Sequence, residues 1–438
     1  MPSIPEIFCS ILRFIGGFFQ ARNYNLRNFA AYVLVIMVIQ YIPLESRAGV
    51  SPVKVATMAI LPLFLIANFH LNPSVICGSL YWLWVFFTSY VLHPMTFRAS
   101  TVFYNAMFVI TFMTLYTLIY DRHIFTIDWF IVFLRRFIWV LAGFCVAQQI
   151  LLVLGVWYFP PLNMVQWLFT EGSQFRVNSL SYEPSSFARS VGVLYYAYLK
   201  CNEYLTGQKL SIATVFNQEH RWVTIAALWS LATIGSGTAF VVIALVSLYF
   251  LKGYWTLLTA PLLVVAFIIL RDSEIEAFQR MQATAEAVTT LDPKEVKDAD
   301  TSAAVRVAPT INTIANFSEN LNKEVFWVGH GCDYSRQFAY APQLRQYGEI
   351  DDYGFIACLL GFLIVFCCCI RFFSIATIMF LLGVGGGLGN IAYSWGLLFI
   401  LMATRYFSKY QILSDDYNKY SGEEPDAQQG LRQQQMVD

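Results

Sequence analysis

Long apolar runs separated by short polar breaks set the pattern of this chain. A helix needs about 20 apolar residues to cross a hydrocarbon core. Twelve stretches approach that length: 29–44, 54–70, 74–92, 101–120, 137–158, 184–203, 222–235, 237–251, 254–270, 353–369, 372–387 and 389–404. The run from 222 to 251 is broken only at Gly235-Ser236-Gly237, which leaves two short spans or one long helix. Residues 4–20 hold Arg13 within an apolar run and read as a helix lying in the interface. They lack a small-residue cleavage site, so no cleavable signal peptide is expected. The pattern predicts an all-α, polytopic transmembrane protein of about twelve spans. Nine spans fall in 1–270, with a short outer loop near 159–184. A large, partly helical loop follows at 271–352, then three spans in 353–404 and a tail at 405–438. The Gln-rich end, 415–438, is expected to be disordered.

Lysine and arginine set the expected orientation. With the N-terminus inside, the inner segments hold fifteen of them, and the short outer segments hold five: Arg47, Lys54, Arg98, Arg176 and Arg189. Both termini are therefore expected on the cytoplasmic side, with the segments 159–189 and 271–352 outside.

Composition narrows the class. Hydrophobic residues make up 57% of the chain and charged residues 13%, about half the usual quarter for a soluble domain. That balance excludes a water-soluble enzyme and a disordered chain. The net charge is zero, so no nucleic-acid partner is expected. Of the nine cysteines, only Cys332 falls clearly in an outer loop, which leaves no disulfide framework there. No CxxC or HExxH spacing points to a metal. The glycine run from Gly383 to Gly389 lacks the Lys-Ser/Thr pair of a nucleotide loop and reads as a turn between packed helices.

The ionisable residues of the two outer segments are the candidates for chemistry. Pro184 suits the first turn of a helix, which puts Glu183 at its N-cap. Arg189 then lies about two turns in, where an unpaired charge is costly, so it should face a wet cavity or a partner. In the long loop, Ile275, Phe278, Met281, Ala285 and Val288 give 274–290 an apolar helical face. A second helix starts at Asp300 or Thr301, carries Arg306, and should kink or end at Pro309. The string Gly329-His330-Gly331 predicts a tight turn with close backbone approach. Asp351 and Asp352 sit at the mouth of the tenth span.

The string Ser181-Tyr182-Glu183-Pro184-Ser185-Ser186-Phe187-Ala188 resembles a sequence found in bacterial O-antigen polymerases of the Wzy type. The break at Thr233-Ile234-Gly235-Ser236-Gly237-Thr238 is similar to their threonine–serine–glycine helix junction. The string from Asp300 to Arg306 looks like the arginine-bearing helix of their long periplasmic loop. The Gly329-His330-Gly331 turn and the acidic residues before a glycine-rich span follow in similar order, and the resemblance covers roughly 175–365. It implies a GT-C-like glycosyltransferase of the bacterial inner membrane, active on the periplasmic side in lipopolysaccharide biosynthesis. Its substrates would be undecaprenyl-pyrophosphate-linked oligosaccharides, and a chain-length regulator is an implied partner. No cofactor is implied.

The residue types suit that chemistry. A pyrophosphate leaving group gathers negative charge, which fixed guanidinium groups stabilise; Arg176, Arg189 and Arg306 are the candidates. The acceptor hydroxyl must lose a proton to a carboxylate or imidazole. The candidates are Glu183, His330, Asp351 and Asp352, with Glu183 first because it lies beside the arginines on a helix end. Tyr182, Tyr353, Trp327 and Tyr334 are candidate stacking partners for sugars, although anchoring at the membrane interface explains such aromatics equally well. Metal ligands are not needed if arginines carry the phosphate charge. Two other readings compete. The related O-antigen ligases transfer to a lipid A core and commonly carry a histidine where this chain has Asp351 and Asp352. A lipid-linked oligosaccharide transporter would show internal repeats and midplane ionisable groups.

Overall fold

The computed structural model describes residues 23–41, 51–156, 159–162, 177–251, 292–299, 301–338, 341–383 and 391–421, together with 283, 286, 290 and 388. Among these there are helices and no strand. Apart from the single turns Ile212–Val215 and Phe317–Asn320, the α-helices are α1 (Asn23–Val38), α2 (Pro52–Ala67), α3 (Pro73–Leu92), α4 (Ala99–Asp121), α5 (Ile127–Val153), α6 (Pro184–Thr206), α7 (Arg221–Thr233) and α8 (Gly237–Phe250). They continue with α9 (Pro293–Ala299), α10 (Thr301–Ala315), α11 (Glu324–Val328), α12 (Ile350–Cys369), α13 (Ile375–Gly383) and α14 (Ala392–Ser421).

Local chemistry explains many of the boundaries. Pro52, Pro73 and Pro184 each open a helix, where the missing N–H costs nothing. The Ser51 hydroxyl accepts from the Val53 and Lys54 N–H groups, and the Asn72 side chain accepts from Val75 N at 3.1 Å. Helices α3, α4 and α12 each finish in a wider π-turn, at Thr88–Leu92, Thr117–Asp121 and Val365–Cys369.

Among the described residues, α3, α4, α5 and α12 are long and apolar enough to cross a membrane. Helices α2 and α8, and the apolar part of α1 (Asn25–Val38), are shorter. Helix α4 is 83% buried over its apolar stretch, against 39–44% for the other three, so it stands at the centre and they turn one side outward. It packs on α2, α3 and α14. Helix α6 is the second buried axis. It packs on α5, α7, α8, α13 and α14, and almost every residue from Pro184 to Leu199 is buried. Its mean apolarity is low because Ser185, Ser186, Arg189 and Ser190 lie inside the bundle.

Several expectations change. Helix α5 begins ten residues before the expected span. Arg135 and Arg136 look like loop residues but lie within the helix, where the Arg135 guanidinium sits 5.6 Å over the Trp139 ring. The run 222–251, by contrast, is two helices as counted, broken at Gly235. Pro309 does not end α10, which continues to Ala315. The last helix runs past the expected span to Ser421, into the segment expected to be disordered. The expected interface helix 4–20, the span 254–270 and nearly all of the helix 274–290 lie outside the described residues.

Candidate functional site

The mouth of α6 is built on a stretch of buried, non-helical backbone. Residues Val177 to Ser181 are all buried, and Ser179 has a positive φ of 50°. Inside a membrane protein such backbone is tolerated only where its polar groups find partners. Gln148 of α5 supplies several. Its Oε1 accepts from Ser179 N at 2.7 Å and Asn178 N at 3.2 Å, and its Nε2 donates to Ser179 O at 3.0 Å. Gln40, just after α1, grips the other end: Gln40 N donates to Leu180 O at 2.7 Å, and its Oε1 accepts from Tyr182 N at 3.0 Å. The Asn178 amide donates to Ser181 O at 2.7 Å, and the Ser179 hydroxyl to Leu141 O at 2.7 Å.

This clamp delivers Glu183 to the N-cap of α6. The Glu183 carboxylate makes no capping bond to the helix; its Oε2 accepts from the Ser185 hydroxyl at 3.0 Å. One and a half turns on, Arg189 donates from Nη2 to the Ser186 hydroxyl at 3.0 Å and lies 5.2 Å over the ring of Tyr393 on α14. Tyr393 in turn donates its hydroxyl to Ser186 O at 2.8 Å. The guanidinium is thus fixed by its own helix and by an aromatic face from the last helix. Glu183, Arg189 and Tyr182 are all half-buried.

An apolar groove of about 460 Å³ runs between α1 and α5 to Leu180, two residues before Tyr182. Val35 and Ile39 form one wall and Trp129, Phe133 and Phe137 the other; Asp128 and Arg136 also line it.

The second group surrounds the start of α12. Gly329 (φ 76°) and Gly354 (φ 82°) let two backbones cross: a Cβ on Gly329 would run into Asp352 O, and one on Gly354 into Trp327 O. The close approach expected from the two glycines around His330 is present. His330 N donates to Asp351 O at 3.0 Å, and Gly331 N to Asp352 O at 2.9 Å. The His330 ring stacks on Tyr334, 3.8 Å between centroids, and its Nδ1 is 3.2 Å from Asp351 O. A carbonyl can only accept, so Nδ1 carries the proton and Nε2 holds the lone pair. Burial holds the imidazole below its ordinary titration range, with His93 adding to the effect and the Asp351 carbonyl and Asp352 opposing it.

The carboxylates here are engaged with the loop. Asp352 accepts from Ser335 N at 2.7 Å and from the Ser335 hydroxyl at 2.8 Å; Asp351 accepts from Gln346 N at 2.8 Å. Asp333 holds the loop to α4 through Arg98 at 3.1 Å and Thr101 at 2.9 Å. Glu349, passed over in the sequence in favour of its two neighbours, is buried and accepts from the Tyr81 hydroxyl. Tyr353 is buried within the first turn of α12, whereas Trp327 and Tyr334 are half-buried.

The candidates therefore fall in two places, Glu183 and Arg189 at the mouth of α6 and the His330 group around the start of α12. Arg176 lies outside the described residues. Arg306 falls in α10, but its side chain is outside them as well. No group of three metal-ligating side chains occurs among the described residues.

Known proteins add no family. Neither a family model, nor a curated protein, nor a solved structure matches this chain. Any function must therefore be argued from the site. Gln40 and Gln148 are the residues that sequence reading missed; a glutamine within an apolar run was the one available signal.

Proposed function

We propose that the chain is a polysaccharide polymerase of the O-antigen type. It transfers a glycan from undecaprenyl pyrophosphate to a sugar hydroxyl of a second lipid-linked unit, on the periplasmic face of a bacterial inner membrane. The observation that carries this reading is the mouth of α6. A carboxylate and a fixed guanidinium lie on one helix end, beside an apolar groove that reaches Leu180.

In this reading the lipid tail lies along the groove between α1 and α5. Arg189 binds the pyrophosphate and stabilises the charge that grows as the glycosidic bond to phosphate breaks. Glu183 takes the proton from the attacking hydroxyl. Arg176 and Arg306 complete the phosphate contacts, and Tyr182 stacks on sugar. His330 is the second candidate base, since its Nε2 holds a lone pair. Asp352 orients the His330 loop through Ser335.

The test is Glu183→Gln on purified lipid-linked units in detergent, read as turnover and donor affinity. Turnover is expected to fall by at least about 100-fold, the low end of general-base contributions, with donor affinity retained. Normal turnover overturns the base assignment. Loss of turnover together with affinity makes Glu183 a positioning residue for Arg189.

One observation favours the ligase as a second reading. The loop brings His330 against the Asp351 carbonyl at the mouth of α12, so a histidine occupies in space the place where the sequence has aspartates. Offering lipid A core and a second lipid-linked unit as competing acceptors separates the two.

A further inference from the structure

The bundle also holds a polar cavity, about 260 Å³ in volume, at the end of α6 away from Glu183. Lys200 lies sixteen residues beyond Pro184, so about 24 Å of helix separates this cavity from the mouth. It belongs to no part of the transfer proposed above. Four cations line it: Lys200, Lys209, Arg371 and Arg405. Glu203 is the one acidic residue among its lining side chains, and it pairs with Lys200 at 2.7 Å.

Arg371 and Arg405 are positioned by neutral groups. Arg405 Nη1 donates to the carbonyls of Phe366 at 2.9 Å and Ile370 at 2.8 Å, at the end of α12. Arg371 Nη2 reaches the Ser408 hydroxyl of α14 at 3.4 Å. Lys209 donates to Leu251 O at 2.7 Å. Neutral partners fix the two arginines without cancelling their charge.

The usual bias of lysine and arginine toward one membrane face requires only that they lie on that side. It does not require cations from the segment after α6, the α12–α13 turn and α14 to converge on one cavity. We propose that this cavity binds a phosphate ester, with Arg371 and Arg405 gripping its oxygens and Lys209 adding charge. Basic pockets between membrane helices take anionic headgroups in this way. The cavity has room for a phosphate with a small polar group, since a water molecule's share of liquid volume is about 30 Å³. The ester is either a lipid headgroup or a soluble phosphate.

The experiment uses the purified full chain in detergent, titrated with phosphatidylglycerol, phosphatidylcholine or inorganic phosphate. Binding is read by native mass spectrometry and by the shift in Tm. Phosphatidylglycerol is expected to bind and to raise Tm, and phosphatidylcholine to do neither. In Lys209→Gln/Arg371→Gln the affinity should fall about tenfold or more. The exposed Arg122 lies outside this cavity, and Arg122→Gln should bind as the parent chain does. If inorganic phosphate binds and competes, the natural ligand is a soluble ester; if it does not, the ligand is a headgroup. Arg371→Gln alone replaces an exposed side chain and serves if the double variant does not fold, which Tm without ligand reports. The proposal is overturned if phosphatidylglycerol and phosphate both fail to bind. It is equally overturned if affinity is unchanged in the variants, or if Arg122→Gln loses as much.

Discussion

His330 shows how much a single neighbour decides. Its Nδ1 faces the Asp351 carbonyl and its ring is stacked on Tyr334, so the neutral tautomer with Nε2 open is the favoured one. Because burial lowers its titration point, the unfolded chain binds this proton more readily than the folded one. Stability therefore rises with pH across the interval between the lowered folded value and the ordinary imidazole value. It is complete above the ordinary value, about 6.5, and is lost as pH falls below it toward the folded one. Tm of the parent chain should drop over that acid interval, and His330→Gln should flatten this part of the profile. An unchanged profile would mean that His330 does not titrate differently in the folded state.

At the scale of elements, the clamp on residues 178–182 makes a sharper demand. Gln148→Ala deletes an amide that serves Asn178 and Ser179, and each buried polar group left unpaired costs about 1–3 kcal/mol. The expected result is a lower Tm and loss of turnover as severe as that of Glu183→Gln, although Gln148 lies on another helix. Unchanged turnover would separate the clamp from the chemistry. The start of α6 was legible in the sequence because Glu183-Pro184 is a local signal, and so was the glycine-flanked turn at His330. Gln40 and Gln148 were not legible, because their partners lie about 140 and 30 residues away in the chain. The start of α5 was misplaced because Arg135 and Arg136 read as loop until Trp139 and the groove are seen to receive them. Twelve spans were expected from apolar runs. Four described helices meet the length and apolarity of a crossing, and α6, buried as deeply as any, is too polar to be counted among them.

For the whole molecule, the groove gives a test of substrate class. Val132→Trp places a large ring in the 460 Å³ space between α1 and α5. If a long lipid tail lies there, donor affinity should fall at least about tenfold, while a donor analogue with a truncated tail should bind as it does to the parent chain; equal losses for both would remove the groove from substrate binding. Orientation needs a different probe from the one the sequence offers. Cys332 is buried, so an impermeant thiol reagent should label it slowly whichever face the loop occupies. Ser318 is exposed. With the nine native cysteines replaced, Ser318→Cys should label in intact spheroplasts; labelling only after lysis would reverse the orientation.

The mouth of α6 draws on both ends of the described chain. Gln40 follows the first of its helices, Gln148 comes from the fifth, and Tyr393, whose ring faces Arg189 and whose hydroxyl meets Ser186, belongs to the last. A ribosome releases these pieces in order, so a nascent chain that already carries Glu183 and Arg189 still lacks the aromatic face that fixes the guanidinium. The fixing of Arg189 is thereby tied to the arrival of α14. A nascent chain that stops short of α14 holds Glu183 and Arg189 without the ring that orients the guanidinium.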